Sequence, residues 1–570
     1  WHSLLVVLTT TTTTTLAADI SPPPPPPTID PQRVSRFISL ATDYLVRACH
    51  DNDDERRHGK FTYEANLNDK LRTDDNNALR MIRGSGSNTA ALGESTKYNL
   101  LRHSGAIYGL ALAYERAQQQ QKPQQPLSSN DNNHNNNNPD DNNDNNINPI
   151  LHAMLRSVHY LKLHALRPVP QLTKGHPDAR TTLDTYSSYH DHLLAAWESR
   201  DISTTSMARP VAKLGGAGLA LVALVSLDDA CPGATPMDEL RQLAEFIEFL
   251  QHPADGSFTS RYSPKMGGKD DTWTSLYYPG EACLGLVYLA TLETDGVLRQ
   301  RWIGVATRAL VYLYQYRKDK PLHAVEYDHW ALIVSAQLLP LLETHTQSHK
   351  EEETHQNDDH HYERIYQHAL KVVRAMLSRY TPRQLAHQNG AFNGGHETCG
   401  TASSLEGLIA ALTFVREDET LQPQPQPSQQ QRPQKGSPTS TSGESLRHRI
   451  EHDVAWGVHF LLEAQEQRSH NNMQGAIPER YLGNANHNSR KNRADDNVRI
   501  DYVQHSVAAM IAYERYIQNK GQHHHQHQHQ GTRPQYPPNA ICPPTTKTNR
   551  SADKAPSDAA AAAAAATSKN

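Results

Sequence analysis

The sequence predicts an all-α protein, a toroid of six helical hairpins in which six apolar helices form an inner barrel inside an outer ring of six. Two patterns support this prediction. Six segments are apolar nearly all round, which is typical of helices buried on most sides. Each of them follows a segment with apolar residues at i, i+3, i+4 and i+7 and charges between them, which is typical of a helix with one buried face.

The two kinds of helix alternate along the chain. The predicted outer helices cover residues 31–48, 149–165, 236–251, 297–315, 362–380 and 445–465. The predicted inner helices cover residues 99–115, 212–227, 277–293, 327–343, 399–415 and 501–516. Each outer helix forms a hairpin with the inner helix that follows it, and such hairpins bury their apolar faces by stacking on their neighbours. We expect an even set of six to close into a ring.

The connections from outer to inner helix share a short sequence pattern. It reads "GKF" at 59–61, "GSF" at 256–258, "GAF" at 390–392 and "GAI" at 475–477. The sequence predicts short β-like loops at these places, with Phe258 as a strand residue that holds its loop on the barrel. The return connections from inner to outer helix are short or filled with low-complexity sequence.

Low-complexity tracts divide the chain. Residues 1–30 form a signal-like and proline-rich leader, residues 31–517 the toroid, and residues 518–570 a tail rich in His, Gln and Ala. Three inserts interrupt the toroid, at 117–148, 344–361 and 418–444. Such polar sequences bury too little apolar surface to fold, so the inserts and the tail are predicted to be disordered. The signal-like start favours a secreted protein, and a cytoplasmic protein with a low-complexity leader is the alternative.

Charge and composition exclude several classes of function. The 570-residue chain has a net charge of −5 and an isoelectric point near 6.7, so it lacks the basic field that holds nucleic acid. No stretch reaches the roughly 18 apolar residues of a membrane span. The five cysteines lie far apart, and His396 with Cys399 is too small a ligand set for a metal. The sequence therefore predicts neither a metal nor another cofactor.

The number and register of the hairpins resemble those of the six-hairpin, (α/α)6-barrel superfamily, which holds many glycoside hydrolases and sugar epimerases. The resemblance covers residues 31–517. It implies a funnel at the N-terminal ends of the inner helices, lined by the long outer-to-inner loops. It also implies a carbohydrate as the substrate.

Three carboxyl groups in the first turns of inner helices are the catalytic candidates, namely Glu281, Asp328 and Asp501. Glycoside hydrolysis uses one carboxyl group as an acid and a second as a base or nucleophile. Each candidate also has a structural explanation. Glu281 suits the positive end of a helix dipole, Asp328 suits an N-cap, and Asp501 suits an ion pair with a nearby arginine. Glu406 lies deeper in its helix and is expected to be a buried hydrogen-bond anchor.

Aromatic and polar residues near the same helix starts are the candidates for substrate binding, since sugars need flat apolar faces and polar partners. They are Tyr98, Arg102, His103, Trp273, Tyr278, His329, Trp330, His396, Arg499, Tyr502 and His505. Two arginines among them suit an acidic sugar such as a uronate.

Other functions remain open. Sugar epimerases of this superfamily use His and Arg, and Arg102, His103, His329, His396 and His505 fit that chemistry. If the carboxyl groups of Glu281, Asp328 and Asp501 were all tied to arginines, with two histidines facing across the pocket, that arrangement would favour epimerisation over hydrolysis. A toroid that binds a glycan or a protein without catalysis is a third possibility, and the oligomeric state is open. Lanthionine and terpene cyclases share the toroid, but their metal-ligand patterns have only weak matches here.

Overall fold

The computed structural model describes residues 24–51, 57–66, 70–73, 79–82, 98–121, 148–169, 193–198, 211–266, 268–348, 356–421, 444–465, 473–481 and 497–526. Within these residues the chain folds as an all-α double ring with small sheets at one end. No helix in these ranges is both long enough and apolar enough to cross a membrane.

Six helices form the inner ring, and their order around it follows the chain. They are α2 (Leu100–Gln121), α4 (Leu214–Ala230), α6 (Tyr278–Leu292), α8 (His329–Ser348), α11 (Thr398–Ala411) and α13 (Ile500–Gln526). Each of these helices packs on the next, and α13 packs on α2, which closes the ring. The chain therefore has the predicted (α/α)6 toroid fold.

Six more helices surround this barrel. They are α1 (Pro31–Ala48), α3 (Pro149–His164), α5 (Met237–Phe249), α7 (Gly296–Arg317), α9 (Gln356–Leu377) and α12 (Leu446–Ala464). Five of them pack on two neighbouring inner helices, as α3 does on α2 and α4. Helix α12 packs on α11 and contacts α13 through Glu451 and Tyr516. A further short helix, α10 (Pro382–His387), lies in the connection between α9 and α11. The arrangement buries the inner helices on all sides, which explains their uniformly apolar sequences.

The helices extend beyond several predicted boundaries. Helix α2 ends at Gln121, α8 at Ser348 and α13 at Gln526, and α9 begins at Gln356. Each of these ends lies inside a stretch that the sequence assigns to an insert or to the tail. Most of the predicted inserts, the first 23 residues and the tail after 526 lie outside the described residues, so the disorder predicted for them stays a prediction.

Small antiparallel sheets lie in the outer-to-inner loops, as the sequence predicts. The strands are β1 (Glu64–Asn66), β2 (Lys70–Thr73), β3 (Leu79–Ile82), β4 (Leu166–Pro168), β5 (Leu194–Ala196), β6 (Ala212–Lys213), β7 (Arg261–Ser263), β8 (Gly268–Asp270) and β9 (Asn497–Arg499). Strand β1 pairs with β9, which joins the first loop to the last. Strands β6 and β9 lead directly into α4 and α13, so these sheets lie at the N-terminal ends of the inner helices.

The glycines of the repeated loop pattern join neighbouring hairpins. Gly59, Gly256, Gly390 and Gly475 all have φ between 80° and 92°, a backbone region that glycine enters without strain. Each also touches the outer helix of the next hairpin. A Cβ would lie 2.0 Å from the carbonyl oxygen of Arg156, 2.6 Å from that of Arg308, 2.0 Å from that of Trp456 and 1.9 Å from that of Leu40, respectively. We call these four contacts the glycine joints, and the joint at Gly475 links the last hairpin to α1.

Candidate functional site

The N-terminal ends of α2 and α13 meet at an ion cluster of Arg102, Arg499 and Asp501. Arg499 donates from Nη2 to Asp501 Oδ2 at 2.8 Å and from Nε to Oδ1 at 3.2 Å, a two-point contact on one carboxylate. Arg102 Nε lies 3.1 Å from the same Oδ2. The guanidinium of Arg499 also stacks on the buried ring of Tyr502, 4.4 Å from its centroid. Two cations around one carboxylate leave a net positive charge at this place.

Asp328 holds the start of α8. Its Oδ1 accepts the Ala331 N–H at 3.0 Å, as an N-cap does, and its Oδ2 accepts from Arg317 Nη2 at 2.9 Å. Both charged side chains are fully buried. Burial raises the pKa of Asp328, and Arg317 opposes the rise. This geometry favours an anchoring role, and the catalytic role assigned from the sequence stays a prediction.

Arg317 was missed by the sequence reasoning. It lies in the last turn of the outer helix α7, where a charged residue is ordinarily solvent-exposed. It also contacts Glu326 at 3.3 Å and His368 at 2.9 Å. A basic residue at the end of an outer helix carries no signal that it turns inward, so only the fold identifies it.

Glu281 has an environment that suits a proton donor. It lies in the first turn of α6, it is 6% exposed, and its Oε2 forms no hydrogen bond within the described part of the chain. Burial raises the pKa of Glu281 to about 8, the charge of Asp328 adds to the rise, and a hydrogen bond from the Trp330 side chain opposes it. Its carboxyl group is therefore largely protonated at neutral pH.

The absence of a side chain at Gly215 makes room for this carboxyl group. A Cβ at Gly215 in α4 would lie 1.9 Å from Glu281 Oε2 and 2.5 Å from the ring of Tyr278. Glu281 and Tyr278 thus come together over the backbone of the neighbouring inner helix. The sequence alone shows Gly215 only as one of several glycines at a helix start.

An aromatic row leads from the protein surface to Glu281. Trp273 is 42% exposed and contacts the ring of Tyr278 edge to face, with centroids 5.5 Å apart. The Arg261 guanidinium lies 5.1 Å from the Trp273 ring centroid. Because Tyr278 also lies beside Glu281, the row joins an exposed aromatic face to a buried acid, and the sequence predicted both Trp273 and Tyr278 as binding residues.

Two of the predicted histidines face each other inside the ring. The rings of His329 and His505 lie edge to face at 5.5 Å, and Trp330 contacts both rings, at 4.8 Å and 6.0 Å. Burial lowers the pKa of His329 well below its usual value, with a further contribution from His505. Its Nε2 has no hydrogen-bond partner among the described residues. His329 is therefore a neutral imidazole with one nitrogen available.

Glu406 reverses the effect of burial on His505. Burial lowers the pKa of His505, but the charge of Glu406 and its hydrogen bond to His505 Nδ1 at 2.6 Å outweigh that effect and raise it. Burial raises the pKa of Glu406 as well, against the opposing effect of His505. The Oε2 of Glu406 is unpartnered within the described ranges. Glu406 is thus the buried hydrogen-bond anchor that the sequence predicts. Its Oε1 contacts His505, and its Oε2 remains available to another group.

Tyr98 and His103 lie elsewhere. Both belong to an aromatic cluster between α2 and the outer helix α3, together with Phe61 and Tyr160. The Nε2 of His103 lies 2.9 Å from the Ser157 carbonyl oxygen, and burial lowers its pKa to about 4. The structure does not bring these two predicted binding residues to the central histidines, because their rings turn toward the outer helix.

His396 occupies a turn before α11. Its φ is +54°, its backbone N–H donates to the Asn393 carbonyl, and its own carbonyl accepts from Tyr481. Among the described residues, no three His, Cys, Asp or Glu side chains are placed to hold a metal ion. The predicted binding role of His396 stays a prediction.

No protein-family model and no curated protein matches this chain. Among solved structures it is similar to the crystal structure of an unsaturated glucuronyl hydrolase specific for heparin, at 10% sequence identity and a TM-score of 0.40, which covers 86% of this chain and 99% of that one.

Two further solved structures are each described as a possible member of the GH105 family. The one from Salmonella enterica subsp. enterica serovar Paratyphi A has 11% identity and a TM-score of 0.30, and the one from Klebsiella pneumoniae subsp. pneumoniae has 10% and 0.29. Both cover 86% of this chain, and 96% and 95% of their own. Similarity at this level carries no argument about the reaction of this chain.

Proposed function

We propose that the protein is a carbohydrate-active enzyme of the glycoside hydrolase kind, with Glu281 as its proton donor. The observation that supports this best is the aromatic row from exposed Trp273 through Tyr278 to Glu281. Aromatic faces bind the C–H surfaces of sugars, and a buried carboxyl group with a raised pKa can protonate a leaving oxygen at neutral pH.

Glu406 is the second carboxyl group of this proposal. Asp328 and Asp501 are each engaged by arginines, whereas Glu406 keeps one oxygen that has no partner among the residues the structure describes. The two glutamates flank α8, and Trp330 and His505 connect them through the contacts described above. In this scheme Glu281 gives its proton to the leaving oxygen, and Glu406 with His505 accepts a proton from the attacking water.

The ion cluster supports an acidic sugar as the substrate class. Arg102 and Arg499 carry two positive charges against the single carboxylate of Asp501. The remaining positive charge lies at the N-terminal ends of α2 and α13, where helix dipoles also favour anions. A uronate carboxylate is the group on a sugar that matches this charge.

Turnover of defined oligosaccharides tests the proposal. We expect the purified protein to release sugar from a panel of neutral and uronate-containing oligosaccharides, and Glu281→Gln to lower kcat by about 100-fold to 10,000-fold. Trp273→Ala serves as the comparison, since it should raise KM while leaving most of kcat. Full activity in Glu281→Gln would contradict the assignment of the acid.

The histidine pair supports sugar epimerisation as a second candidate. Its two members have pKa values shifted in opposite directions, downward for His329 and upward for His505, and such a separation often marks a base and an acid. Epimerisation at a carbon next to a carbonyl would incorporate solvent deuterium into the sugar, whereas hydrolysis would not. Deuterium incorporation that is lost in His329→Gln would favour this candidate over the first.

A further inference from the structure

A large cavity extends inside the barrel from Glu406 toward the end opposite the predicted funnel. Its volume is about 910 Å³, within the range of small-molecule sites. Its lining comes from five inner helices, α2, α6, α8, α11 and α13, and from the first turn of α12. Thr413 at its rim lies just beyond the last residue of α11, and Lys520 lies in the C-terminal third of α13, so the cavity opens toward the C-terminal ends of the inner helices.

The inner wall of this cavity is aromatic and apolar. Tyr108 and Tyr288 line it, and their rings lie edge to face with centroids 6.3 Å apart. Ile409 and Ile511 supply aliphatic surface between them and the rim. Phenol rings with hydroxyl groups beside aliphatic walls suit a ligand that has both C–H faces and polar edges.

Within the described part of the chain, one hydrogen-bond acceptor and one donor in this wall have no partner. The acceptor is Glu406 Oε2, on a side chain that is 3% exposed. The donor is Arg515 Nε, a buried atom on a side chain that is 33% exposed; it makes no hydrogen bond within the described residues, and Nη2 of the same side chain pairs with Glu115 at 2.7 Å. Buried polar groups without partners destabilise a protein, so their presence in one cavity indicates a ligand that both donates and accepts hydrogen bonds.

The rim carries charges that neutralise one another. Glu451 lies 2.8 Å from Lys520 Nζ, and Glu417 lies 3.0 Å from Arg447 Nε. Because these side chains are already paired, the rim offers no net charge to attract either an anion or a cation. A neutral ligand therefore fits the cavity better than a charged one.

We infer that this cavity is a binding site for a neutral polyhydroxylated ligand, such as a small saccharide. Hydroxyl groups donate to Glu406 Oε2 and accept from Arg515 Nε at the same time, and the tyrosine rings cover the C–H surfaces. The site shares Glu406 with the proposed catalytic pair, but it does not require Glu281 or any turnover. It opens at the end of the barrel away from the aromatic row, and its inner end reaches Glu406 and Tyr108, whose ring contacts Trp330.

Calorimetric titration of the full chain tests this inference, with cellobiose and maltose as neutral probes and glucuronate and putrescine as charged ones. We expect a neutral probe to bind with a Kd of about 10 mM or lower. Ala512→Trp, which fills the cavity from α13, should weaken binding at least about tenfold. The matched control Ala254→Trp places the same side chain on an exposed turn and should leave binding unchanged.

Two more variants keep the test decisive. Tyr108→Phe removes one wall hydroxyl without changing the volume, so it should also weaken binding. This variant keeps the inference testable if Ala512→Trp fails to fold. Glu281→Gln should bind the neutral probe as the unchanged protein does, which separates this site from the proposed reaction. The inference is overturned if neither neutral probe binds, if a charged probe binds more tightly, or if the cavity variants leave the affinity unchanged.

Discussion

At the scale of single residues, burial and partners decide what each carboxyl group can do. Glu281 and Asp328 are both buried acids at the start of inner helices. Asp328 has a fully buried arginine as its partner, whereas Glu281 has one oxygen without a partner in the described structure. A buried carboxyl group therefore serves as an anchor at the start of α8 and as a candidate proton donor in the neighbouring inner helix α6.

Glu281 should make the protein less stable as the pH rises. Its pKa in the folded protein is about 8, against an ordinary value of 4.5, so the folded state holds the proton to higher pH than the unfolded state does. The stability linked to this proton is complete below pH 4.5 and is lost as the pH rises through 8. The loss is on the order of 5 kcal/mol.

The variant Glu281→Gln keeps the shape of the side chain and removes the titration. We expect it to unfold at the same temperature as the unchanged protein near pH 5 and at a higher temperature near pH 9, as measured by circular dichroism. Equal unfolding temperatures at both pH values would show that Glu281 does not hold its proton in the folded state.

Asp328→Asn should destabilise the protein. Asparagine caps a helix about as well as aspartate does, so the variant isolates the loss of the ion pair to buried Arg317. The expected cost is on the order of 3 kcal/mol, because a buried guanidinium loses its closest anion. Denaturant unfolding measures it.

An exposed ion pair provides the control for this change. Arg33 and Glu463 are paired at 2.7 Å with side chains 50% and 30% exposed, and Arg33→Gln should cost less than about 1 kcal/mol. If Asp328→Asn keeps full stability and loses activity, the catalytic assignment made from the sequence is right and the anchoring role is wrong.

At the scale of helices, the close contact between α4 and α6 positions the candidate acid. A Cβ at Gly218 in α4 would lie 2.5 Å from the Glu281 carbonyl oxygen and 2.6 Å from the Ala282 backbone. A Cβ at Gly285 in α6 would lie 2.7 Å from the Gly218 carbonyl oxygen. The two helices therefore touch through their backbones along the turn that carries Glu281.

Gly218→Ala should push these helices apart. We expect a loss of about 2 kcal/mol or more, since the added methyl group meets backbone atoms that cannot move aside, and a lower kcat because Glu281 is displaced. Gly304→Ala in the outer helix α7 is the control. A Cβ there meets only the tip of Arg308 at 3.5 Å, so this variant should gain about 0.5 to 1 kcal/mol from helix propensity. Similar effects in the two variants would contradict the close contact.

At the scale of the whole molecule, the glycine joints connect hairpins around the ring. Gly475 contacts the carbonyl oxygen of Leu40 in α1, so residues more than 400 positions apart in sequence meet at the closure. The pairing of β1 with β9 and the packing of α13 on α2 also join the last hairpin to the first. Ring closure thus depends on the last hairpin meeting the first.

Gly475→Ala should weaken this closure. The residue has φ +88° and no space for a Cβ, so the variant adds a steric clash to the backbone strain. Gly233→Ala is the matched control, because Gly233 has φ +85° and no atom of the described residues lies within 4 Å of the added Cβ. Backbone strain alone should cost about 1 to 2 kcal/mol, and Gly475→Ala should cost clearly more in denaturant unfolding.

Hydrogen exchange provides a second measurement of the same variant. We expect faster exchange in α1 and α13 of Gly475→Ala than in α5 and α6, because the added methyl group separates the first and last hairpins. Uniform exchange around the ring, or equal stability of the two alanine variants, would contradict a role for the joint in closure.

The sequence by itself determined the hairpins, their order and the closed double ring. The patterns behind that prediction are local, since an apolar face or an apolar helix must be buried whatever its neighbours are. The repeated "GKF", "GSF", "GAF" and "GAI" loops were also visible, although their function as joints depends on the next outer helix. The helix ends were less predictable, as α2 and α8 continue into polar sequence.

Only the tertiary structure decided which candidate residues meet and how they titrate. His505 and Glu406 are 99 positions apart, and Asp328 receives its partner Arg317 from the preceding outer helix. His103 turns toward α3, whereas His329 turns toward His505. Burial and nearby charges set a pKa, and both come from helices that are distant in the sequence. The cavity at the C-terminal ends of the inner helices has the same origin, because its wall is assembled from five of them.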